Sequence, residues 1–272
     1  MIREILVTND DAYDSRGVKY LAEFMRRYGN VTVVAPRTPQ SGKATAISMN
    51  TLFRLEKMSE EPSSISKGSI TWYCFNGTPV DCAKMGINLF VEEGRMPDML
   101  ISGINHGSNA SIAVAYSGTV GAAIEGAIYG IQSIALSIDE FSPDLIFDGI
   151  DKYLPQIIDN LIAHPLSEGI ILNINFPNLP LDQIQGIRFA HQGKGRWTKE
   201  FDRFEGPDGR VHYVMGGYFI NQEQYDVQKP IVGQSDADHL LNNYGYVAIV
   251  PLRIDNTDHK EKTRLEKEWS FS

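Results

Sequence analysis

The residues best suited to chemistry are two adjacent acids, Asp10 and Asp11, which follow an apolar stretch ending at Thr8 and Asn9. Side chains alternate along a strand, so neighbouring acids normally point apart, but a turn at the strand's exit lets both converge. Two converging carboxylates repel each other unless a cation lies between them. A hard divalent metal fits that place, because carboxylate oxygens are its preferred ligands. The alternative is an ordinary polar turn, since Asp and Asn commonly begin turns.

Two later residues could add neutral oxygens to this pair of acids. Ser41 lies in the loop after the second predicted strand, and Asn105 follows directly on a later strand. Ligands of open α/β sheets bind outside the carboxyl ends of the strands, so we expect these residues to meet Asp10 and Asp11 at one edge. An all-oxygen shell suits Mg²⁺, Mn²⁺ or Ca²⁺ better than zinc.

The segment Ser117-Gly118-Thr119 predicts an anion site at the start of a helix. Free backbone N–H groups and two hydroxyls are available there, and phosphate is the obvious anion. Two neighbours have two interpretations each. Tyr116 could stack on a nucleobase or form only the cleft wall. His106 could contact substrate or face solvent.

The elements that must position these residues alternate between strand and helix over the first two-thirds of the chain. Hydrophobic patterns predict strands over 4–7, 31–35, 70–75, 99–104, 133–138 and 169–174, and helices over 16–27, 80–90, 118–129 and 145–163. Ser15 is the expected N-cap of the first helix, and Gly29 is expected to close it. Near-continuous apolar strands between helices predict a doubly wound, Rossmann-like, mostly parallel α/β sheet with helices on both faces.

This alternation stops after Phe176-Pro177. From 178 to about 232, alternating hydrophobic pieces such as 211–215 and a turn over 206–209 predict a β-rich hairpin extension. A short helix over 237–242, a strand over 246–250 that returns to the core and a charged helical tail over 258–268 follow. We therefore predict a Rossmann-like catalytic domain over 1–177 and an extension over 178–272 that serves oligomerisation.

Composition argues against several partners. The formal net charge of −9 repels polymeric nucleic acid and anionic membranes, so a small anion would need a local positive centre. No apolar run approaches the ~20 residues that span a bilayer. The N-terminus lacks the features of a signal peptide, and the two cysteines fit neither a zinc site nor a disulfide framework. We expect a cytoplasmic protein.

Several common signatures are missing from the sequence. There is no Gly-x-Gly-x-x-Gly after the first strand, no Gly-x-x-x-x-Gly-Lys-Ser/Thr and no Gly-x-Ser-x-Gly. The acids also lack the Asp-x-Asp spacing of a phosphatase that forms a phosphoaspartate. Dinucleotide, P-loop and serine-hydrolase chemistry are therefore not indicated.

Five segments together form a family pattern: Thr8-Asn9-Asp10-Asp11, Ala35-Pro36-x-x-x-Gln40-Ser41-Gly42, Asn76-Gly77-Thr78-Pro79-x-Asp81-Cys82, Ser102-Gly103-Ile104-Asn105-x-Gly107-x-Asn109 and Tyr116-Ser117-Gly118-Thr119-Val120-Gly121-Ala122-Ala123. In order and spacing they resemble the SurE family of metal-dependent nucleotidases over roughly the whole chain. Later matches are Asn173-x-Asn175-Phe176-Pro177 and Gly245-Tyr246-Val247.

The resemblance implies a 5′-nucleotidase, often also a 3′-nucleotidase, that releases phosphate from nucleoside monophosphates, and in some members an exopolyphosphatase. It implies one divalent metal ion per subunit, Mg²⁺ or Mn²⁺ first and Ca²⁺ as a further possibility, with ligands at Asp10, Asp11, Ser41 and Asn105. It places the phosphate contacts at Asn109, Ser117, Gly118 and Thr119. It also implies a homodimer or homotetramer that exchanges C-terminal segments and a hairpin.

One position departs from the family pattern, because Ala12 stands where the family usually has Gly. A positive φ would strain an alanine by ~1 kcal/mol. We therefore expect a negative φ at Ala12, or a slightly displaced loop.

These residues together predict hydrolysis of a phosphomonoester by a metal-positioned water. Asp10 or Asp11 would orient the water or act as general base, and Asn109 with the N–H groups of residues 117–119 would stabilise charge on the phosphoryl oxygens. A carboxylate nucleophile remains open. The alternatives are a non-catalytic protein that senses a nucleotide or phosphate in the same cleft, and another α/β enzyme such as a metal-dependent esterase.

Overall fold

The computed structural model describes residues 3–140, 144–220 and 236–271, and a nine-stranded sheet forms its centre. The strands are β1 (Arg3–Thr8), β2 (Gly29–Pro36), β3 (Leu55–Glu61), β4 (Ile70–Phe75), β5 (Met99–His106), β6 (Gln132–Asp139), β7 (Ile170–Pro177), β8 (Gly186–Phe189), β9 (Arg196–Thr198), β10 (Phe201–Glu205), β11 (Val211–Met215), β12 (Tyr218–Ile220) and β13 (Tyr246–Arg253). The sheet order is β3-β4-β2-β1-β5-β6-β7-β13-β8. The pairs β10–β11 and β9–β12 stand outside this sheet.

Most of the sheet is parallel. Strands β4, β2, β1, β5, β6 and β7 pair in parallel, whereas β3 runs antiparallel to β4 and β13 runs antiparallel to β7. This arrangement confirms the predicted doubly wound, mostly parallel sheet and the antiparallel hairpins beyond it. The parallel strands bring their carboxyl ends to one edge, which is where the polar residues lie.

Helices cover both faces of the sheet. They are α1 (Arg16–Met25), α2 (Pro79–Glu92), α3 (Gly118–Ile128), α4 (Asp148–Ala163), α5 (Asp238–Asn243) and α6 (His259–Glu268). Along β1, Ile5 and Val7 pack in one hydrophobic cluster with α1 and α4, while Leu6 packs in another with α2. This alternation fixes the register of β1 and therefore the position of the acids that follow it.

Local capping positions the helices near the site. The Ser15 hydroxyl accepts a hydrogen bond from the Val18 N–H at the start of α1, as predicted. Thr78 and Asp81 form a reciprocal capping box at the start of α2. These side chains satisfy N–H groups that have no partner inside the helix, and they fix where each helix begins.

The structure corrects three details of the predicted elements. Gly29 does not close α1, which ends at Met25, but begins β2; a Cβ there would lie 2.0 Å from the Arg3 carbonyl oxygen. The fourth helix begins at Asp148 rather than at 145, and β3 is a strand where none was predicted. Glycine is therefore needed at position 29 for the close approach of β1.

Segments beyond residue 177 take part in the main sheet, since β13 pairs with β7 and β8 pairs with β13. The domain boundary at 177 stays a prediction. The predicted extension over 178–232 is described as far as residue 220, where β10 and β11 flank the expected turn, and 221–232 lie outside the described residues. No helix within the described ranges is long and apolar enough to cross a membrane.

Candidate active site

The turn after β1 is pinned by the buried side chain of Asn9. Its Nδ2 donates to the Ala12 carbonyl oxygen at 2.8 Å and to the Ser15 hydroxyl at 3.0 Å. Since Ser15 is also the N-cap of α1, one amide ties the acidic turn to the start of that helix. These hydrogen bonds hold the turn independently of any contact made by the Asp10 and Asp11 side chains.

Ala12 has a φ of +84°, which corrects the expected negative φ. The residue is almost fully buried, so its methyl group is packed inside the turn. A positive φ costs an alanine roughly 1 kcal/mol relative to glycine. The turn therefore keeps the backbone conformation that favours Gly although its residue is Ala.

Asp10 is a buried carboxylate held against the start of α3. Its side chain is 4% exposed, and its Oδ1 accepts a hydrogen bond of 2.6 Å from the Thr119 hydroxyl. Burial, followed by the charge of Asp11, raises the pKa of Asp10 to about 6, although hydrogen bonds from Thr119 oppose this rise. A Cβ on Gly118 would lie 3.1 Å from the Asp10 Oδ2, so glycine permits this close approach.

Asp11 is held by His106, at the carboxyl end of β5. The backbone N–H of His106 donates to the Asp11 Oδ2 at 2.9 Å, and the His106 Nδ1 lies 2.9 Å from the same oxygen. A proton on Nδ1 makes this second contact a hydrogen bond as well. The His106 side chain is 21% exposed, and its contact with substrate stays a prediction. The residue orients an acid.

Asn105, near the end of β5, and Asn109, on the loop that follows, lie close together. The Asn105 Nδ2 donates to the Gly107 carbonyl oxygen at 2.8 Å and to the Asn109 Oδ1 at 3.4 Å. Two asparagines on β7 form hydrogen bonds with the backbone of Asn109. The Asn109 N–H donates to the Asn175 Oδ1 at 2.8 Å, and the Asn173 Nδ2 donates to the Asn109 carbonyl oxygen at 2.8 Å. The loop is therefore fixed by buried amides of β7, which belongs to the same sheet as β5.

Both hydroxyls expected at the anion site already have partners. The Ser117 hydroxyl accepts from the Val120 N–H at 3.0 Å as the N-cap of α3, and the Thr119 hydroxyl donates to Asp10. Thr119 is fully buried. A phosphate contact through the Thr119 hydroxyl would require that hydroxyl to leave Asp10, so its role in binding phosphate stays a prediction.

Ser41 is brought near the acids by its loop but not into contact with them. The N–H of the preceding Gln40 donates to the Asp10 carbonyl oxygen at 2.7 Å, and the Ala44 N–H donates to the Tyr116 carbonyl oxygen at 3.0 Å. The Ser41 side chain is exposed and, within the described ranges, makes no hydrogen bond to Asp10, Asp11 or Asn105. Its role as a metal ligand stays a prediction.

The chemistry of the donors fits a hard divalent metal with few protein ligands. Within the described part of the chain, no group of three or more His, Cys, Asp or Glu residues could hold a metal, so neutral oxygens are needed beside the two acids. Asn105 makes both of its side-chain hydrogen bonds through Nδ2, which leaves Oδ1 for another partner. Burial, followed by the charge of Asp11, raises the pKa of Asp10, as expected for two acids with no cation between them.

Sequence reasoning missed the residues that support the site. The contact between His106 and Asp11 joins residues far apart in sequence, and no local sequence pattern predicts it. Asn173 and Asn175 did give a signal, since two amides spaced by two residues interrupt an apolar strand on one face. That spacing indicates a polar contact on the same side of β7.

The fold and this cluster define a class: an α/β protein with a site of acids and amides at the carboxyl ends of parallel strands. The family model described as "Survival protein SurE" matches residues 5–199. The chain belongs to the SurE family.

Relatives match the chain over nearly its full length. The 5′-nucleotidase SurE of Cytophaga hutchinsonii is 38% identical over 98% of this chain and 97% of its own. The 5′-nucleotidase SurE of Flavobacterium psychrophilum is 36% identical over 94% of this chain and 93% of its own. Among solved structures, the SurE protein from Aquifex aeolicus superposes with a TM-score of 0.76 at 30% identity, covering 97% of this chain and 98% of that one.

Proposed function

We propose that this protein is a metal-dependent 5′-nucleotidase that releases phosphate from nucleoside monophosphates. Two relatives that match almost the whole chain bear the name 5′-nucleotidase SurE. The family membership supports metal dependence in general. The proposal extends to activity on 3′-nucleotides and on short polyphosphate. It also extends to the use of Mg²⁺ or Mn²⁺ in preference to Ca²⁺.

The observation that supports it most strongly is the pair of adjacent acids Asp10 and Asp11, whose side chains contact His106 and Thr119. In the described residues, no Lys or Arg forms an ion pair with either acid. A phosphate brought to this edge would meet two acids that no Lys or Arg of the described residues pairs with. A divalent metal would be held by Asp10, Asp11, Asn105 and Ser41, and it would supply positive charge and Lewis acidity beside the phosphate.

The protein's own groups have distinct parts in such a reaction. Asp10, held by Thr119, would contribute a fixed carboxylate oxygen. Asp11 has its Oδ2 on His106, so Oδ1 is the atom proposed to accept a proton from the attacking water. Asn109 and the N–H groups at the start of α3 would face the charge that develops on the phosphoryl oxygens.

A panel of nucleotides tests this proposal. We expect phosphate release from 5′-nucleoside monophosphates with Mg²⁺ or Mn²⁺ and none after thorough chelation, with activity restored when metal is added back. Release in metal-free buffer would contradict the scheme. Tight nucleotide binding by calorimetry without phosphate release would instead favour the non-catalytic sensor, and turnover of acyl esters alone would favour an esterase.

A second measurement tests the nucleophile. Single turnover in oxygen-18 water with limiting substrate should place the label in the released phosphate only. Label recovered in Asp10 or Asp11 would mean that a carboxylate attacks phosphorus and that water then attacks the carbonyl carbon of the acyl phosphate, which breaks its C–O bond and releases phosphate.

The proposal also includes assembly and location. A homodimer or homotetramer is supported by α6, which buries no residue in the chain, and by exposed apolar side chains on the β10–β11 hairpin. A cytoplasmic location is supported by Cys74 and Cys82, which are both buried free thiols.

A further inference from the structure

A small cavity lies beside the loop that holds Asn109. It has a volume of about 140 Å³, and its lining includes Ser108, Asp139, Trp197, Phe219, His239 and Asn243. Ser108 directly precedes Asn109 in the chain. The Gly107 N–H donates to the Ile138 carbonyl oxygen at 2.9 Å, which packs the same loop against the end of β6, where Asp139 lies. The cavity is therefore adjacent to the proposed phosphate site.

Two aromatic rings form one wall of this cavity. The ring centroids of Trp197 and Phe219 are 6.2 Å apart, with their planes at 75°. Each residue is about one-third exposed, at 36% and 37%, so the rings are open to a ligand. A planar heterocycle stacked on one ring would meet the other edge-on, which is a favourable aromatic arrangement.

The acidic group in the lining of the cavity is the Asp139 carboxylate, which lies there with the polar side chains of Ser108, His239 and Asn243. It is partly buried, and in the part of the chain that the structure describes it has no hydrogen-bond or salt-bridge partner. Burial, followed by the charge of Glu140, raises the pKa of Asp139, although the charge of His239 opposes this rise. A partly buried carboxylate without donors is costly, so a ligand that supplies N–H groups gains free energy here.

We propose that this cavity binds the base of the nucleotide substrate and selects guanine through Asp139. The inference rests on the proposed function, because it adds a base subsite to a nucleotidase. Guanine carries two adjacent donors, N1–H and the exocyclic N2 amine, which match the two oxygens of one carboxylate. Hypoxanthine offers N1–H alone, and adenine has an acceptor at N1. The expected order is GMP, then IMP, then AMP.

The test compares kcat/KM for GMP, IMP, AMP and ribose 5-phosphate in the wild type and in Asp139→Asn. Ribose 5-phosphate lacks a base, so it reports phosphate chemistry alone. We expect Asp139→Asn to lower kcat/KM for GMP by about tenfold or more, since a charge-assisted hydrogen bond is lost, and to leave ribose 5-phosphate unchanged. The matched control, Glu140→Gln, removes a neighbouring charge outside the cavity and should behave as the wild type.

A variant of the wall separates stacking from hydrogen bonding. Trp197→Ala should lower kcat/KM for all three nucleotides by a similar factor, because stacking does not distinguish among purines. It should leave ribose 5-phosphate unchanged. A loss confined to GMP in Trp197→Ala would contradict the assigned roles.

Three results would overturn the base subsite. One is an unchanged preference for GMP in Asp139→Asn, and another is an equal loss on GMP and ribose 5-phosphate. The third is a Tyr116→Ala variant that loses base preference while Asp139→Asn keeps it. If no substrate releases phosphate with any divalent metal, the proposed function fails by itself. Calorimetry of GMP binding then decides: weaker binding to Asp139→Asn supports the subsite, and equal binding overturns it.

Discussion

At the scale of single residues, the ionised form of Asp10 is electrostatically unfavourable in the folded protein. Its carboxylate is buried beside Asp11, and both effects favour the protonated form, so its pKa rises from the ordinary 3.8 to about 6. The folded protein therefore binds this proton more tightly than the unfolded chain does. Stability contributed by the protonated acid is full below about pH 4 and is lost as the pH rises through 6.

Because the pKa of Asp10 is raised in the folded protein, Asp10→Asn should change stability in metal-free buffer. The amide cannot ionise, so at pH 7 the variant should be more stable than the wild type by about 2–3 kcal/mol. At pH 4 the two should be nearly equal. Urea unfolding at both pH values measures the difference, and a variant no more stable than the wild type at pH 7 would argue against a strained Asp10.

Substitutions of Thr119 distinguish two roles for its hydroxyl at the start of α3, namely support of the Asp10 carboxylate and contact with phosphate. Because its hydroxyl donates to Asp10, Thr119→Val should weaken metal binding by about 10–100-fold, as loss of a partner to a metal ligand typically does. Thr119→Ser keeps the donor and serves as the matched control. The measurements are the metal Kd and the KM for AMP. A raised KM with unchanged metal affinity would instead place the hydroxyl on the phosphate.

At the scale of elements, the turn between β1 and α1 has a positive φ at position 12, where the residue is alanine rather than glycine. Asn9 and Ser15 hold the turn closed, while Ala12 adopts a φ of +84° that suits glycine better. The surrounding contacts therefore stabilise a conformation that the residue itself disfavours.

We expect Ala12→Gly to raise the free energy of unfolding by up to about 1 kcal/mol, because relief of the positive φ outweighs the added freedom of the unfolded chain. The control is Ala22→Gly, at a buried position inside α1, which should lower stability by about 1 kcal/mol. Thermal unfolding of both variants decides. Equal destabilisation would mean that lost packing, not backbone strain, dominates at position 12.

Much of the element pattern is predictable because its causes are local. The apolar strand 70–75, the Ser15 cap and the start of α3 follow from periodicity and capping chemistry alone. The strand β3 was missed because its sequence, Leu-Glu-Lys-Met-Ser-Glu-Glu, is mostly charged and exposed, as an edge strand allows. Its pairing with β4 is visible only once both strands are placed.

The site is predictable in its strand-end residues and not in its supports. Asp10, Asp11 and Asn105 could be chosen because each follows an apolar strand at the same edge of the sheet. The contact of His106 with Asp11 depends on the pairing of β1 with β5, which is long-range. The sign of φ at Ala12 depends on contacts of Asn9 with residues later in the turn.

At the scale of the whole molecule, the C-terminal third presents surfaces that a single chain leaves open. On the β10–β11 hairpin, Phe201, Tyr213 and Met215 lie on exposed strands, and Phe201 is paired with Met215. Exposed aromatic and methionine side chains grouped in this way are typical of association surfaces. The helix α6 buries no residue within the chain.

We therefore expect the protein to assemble in solution, at a mass that is a multiple of its 30.4 kDa chain. The double variant Tyr213→Glu with Met215→Glu should run as a monomer with an unchanged circular dichroism spectrum, because buried charges disfavour the interface. Arg210→Glu, at the hairpin turn, is the control. Light scattering coupled to gel filtration gives the masses. A monomeric wild type would contradict association through this surface.

We propose that Asp10, Asp11 and Asn105 bind a divalent metal at the edge of the sheet. The most direct measurement is calorimetric titration of chelator-treated protein with Mn²⁺ at pH 7, for the wild type and for Asp10→Asn. We expect one bound Mn²⁺ per chain in the wild type and an affinity at least about 100-fold weaker in the variant, since loss of even an outer partner costs about 10–100-fold. Equal affinity in the two proteins, or no binding by the wild type, would contradict it.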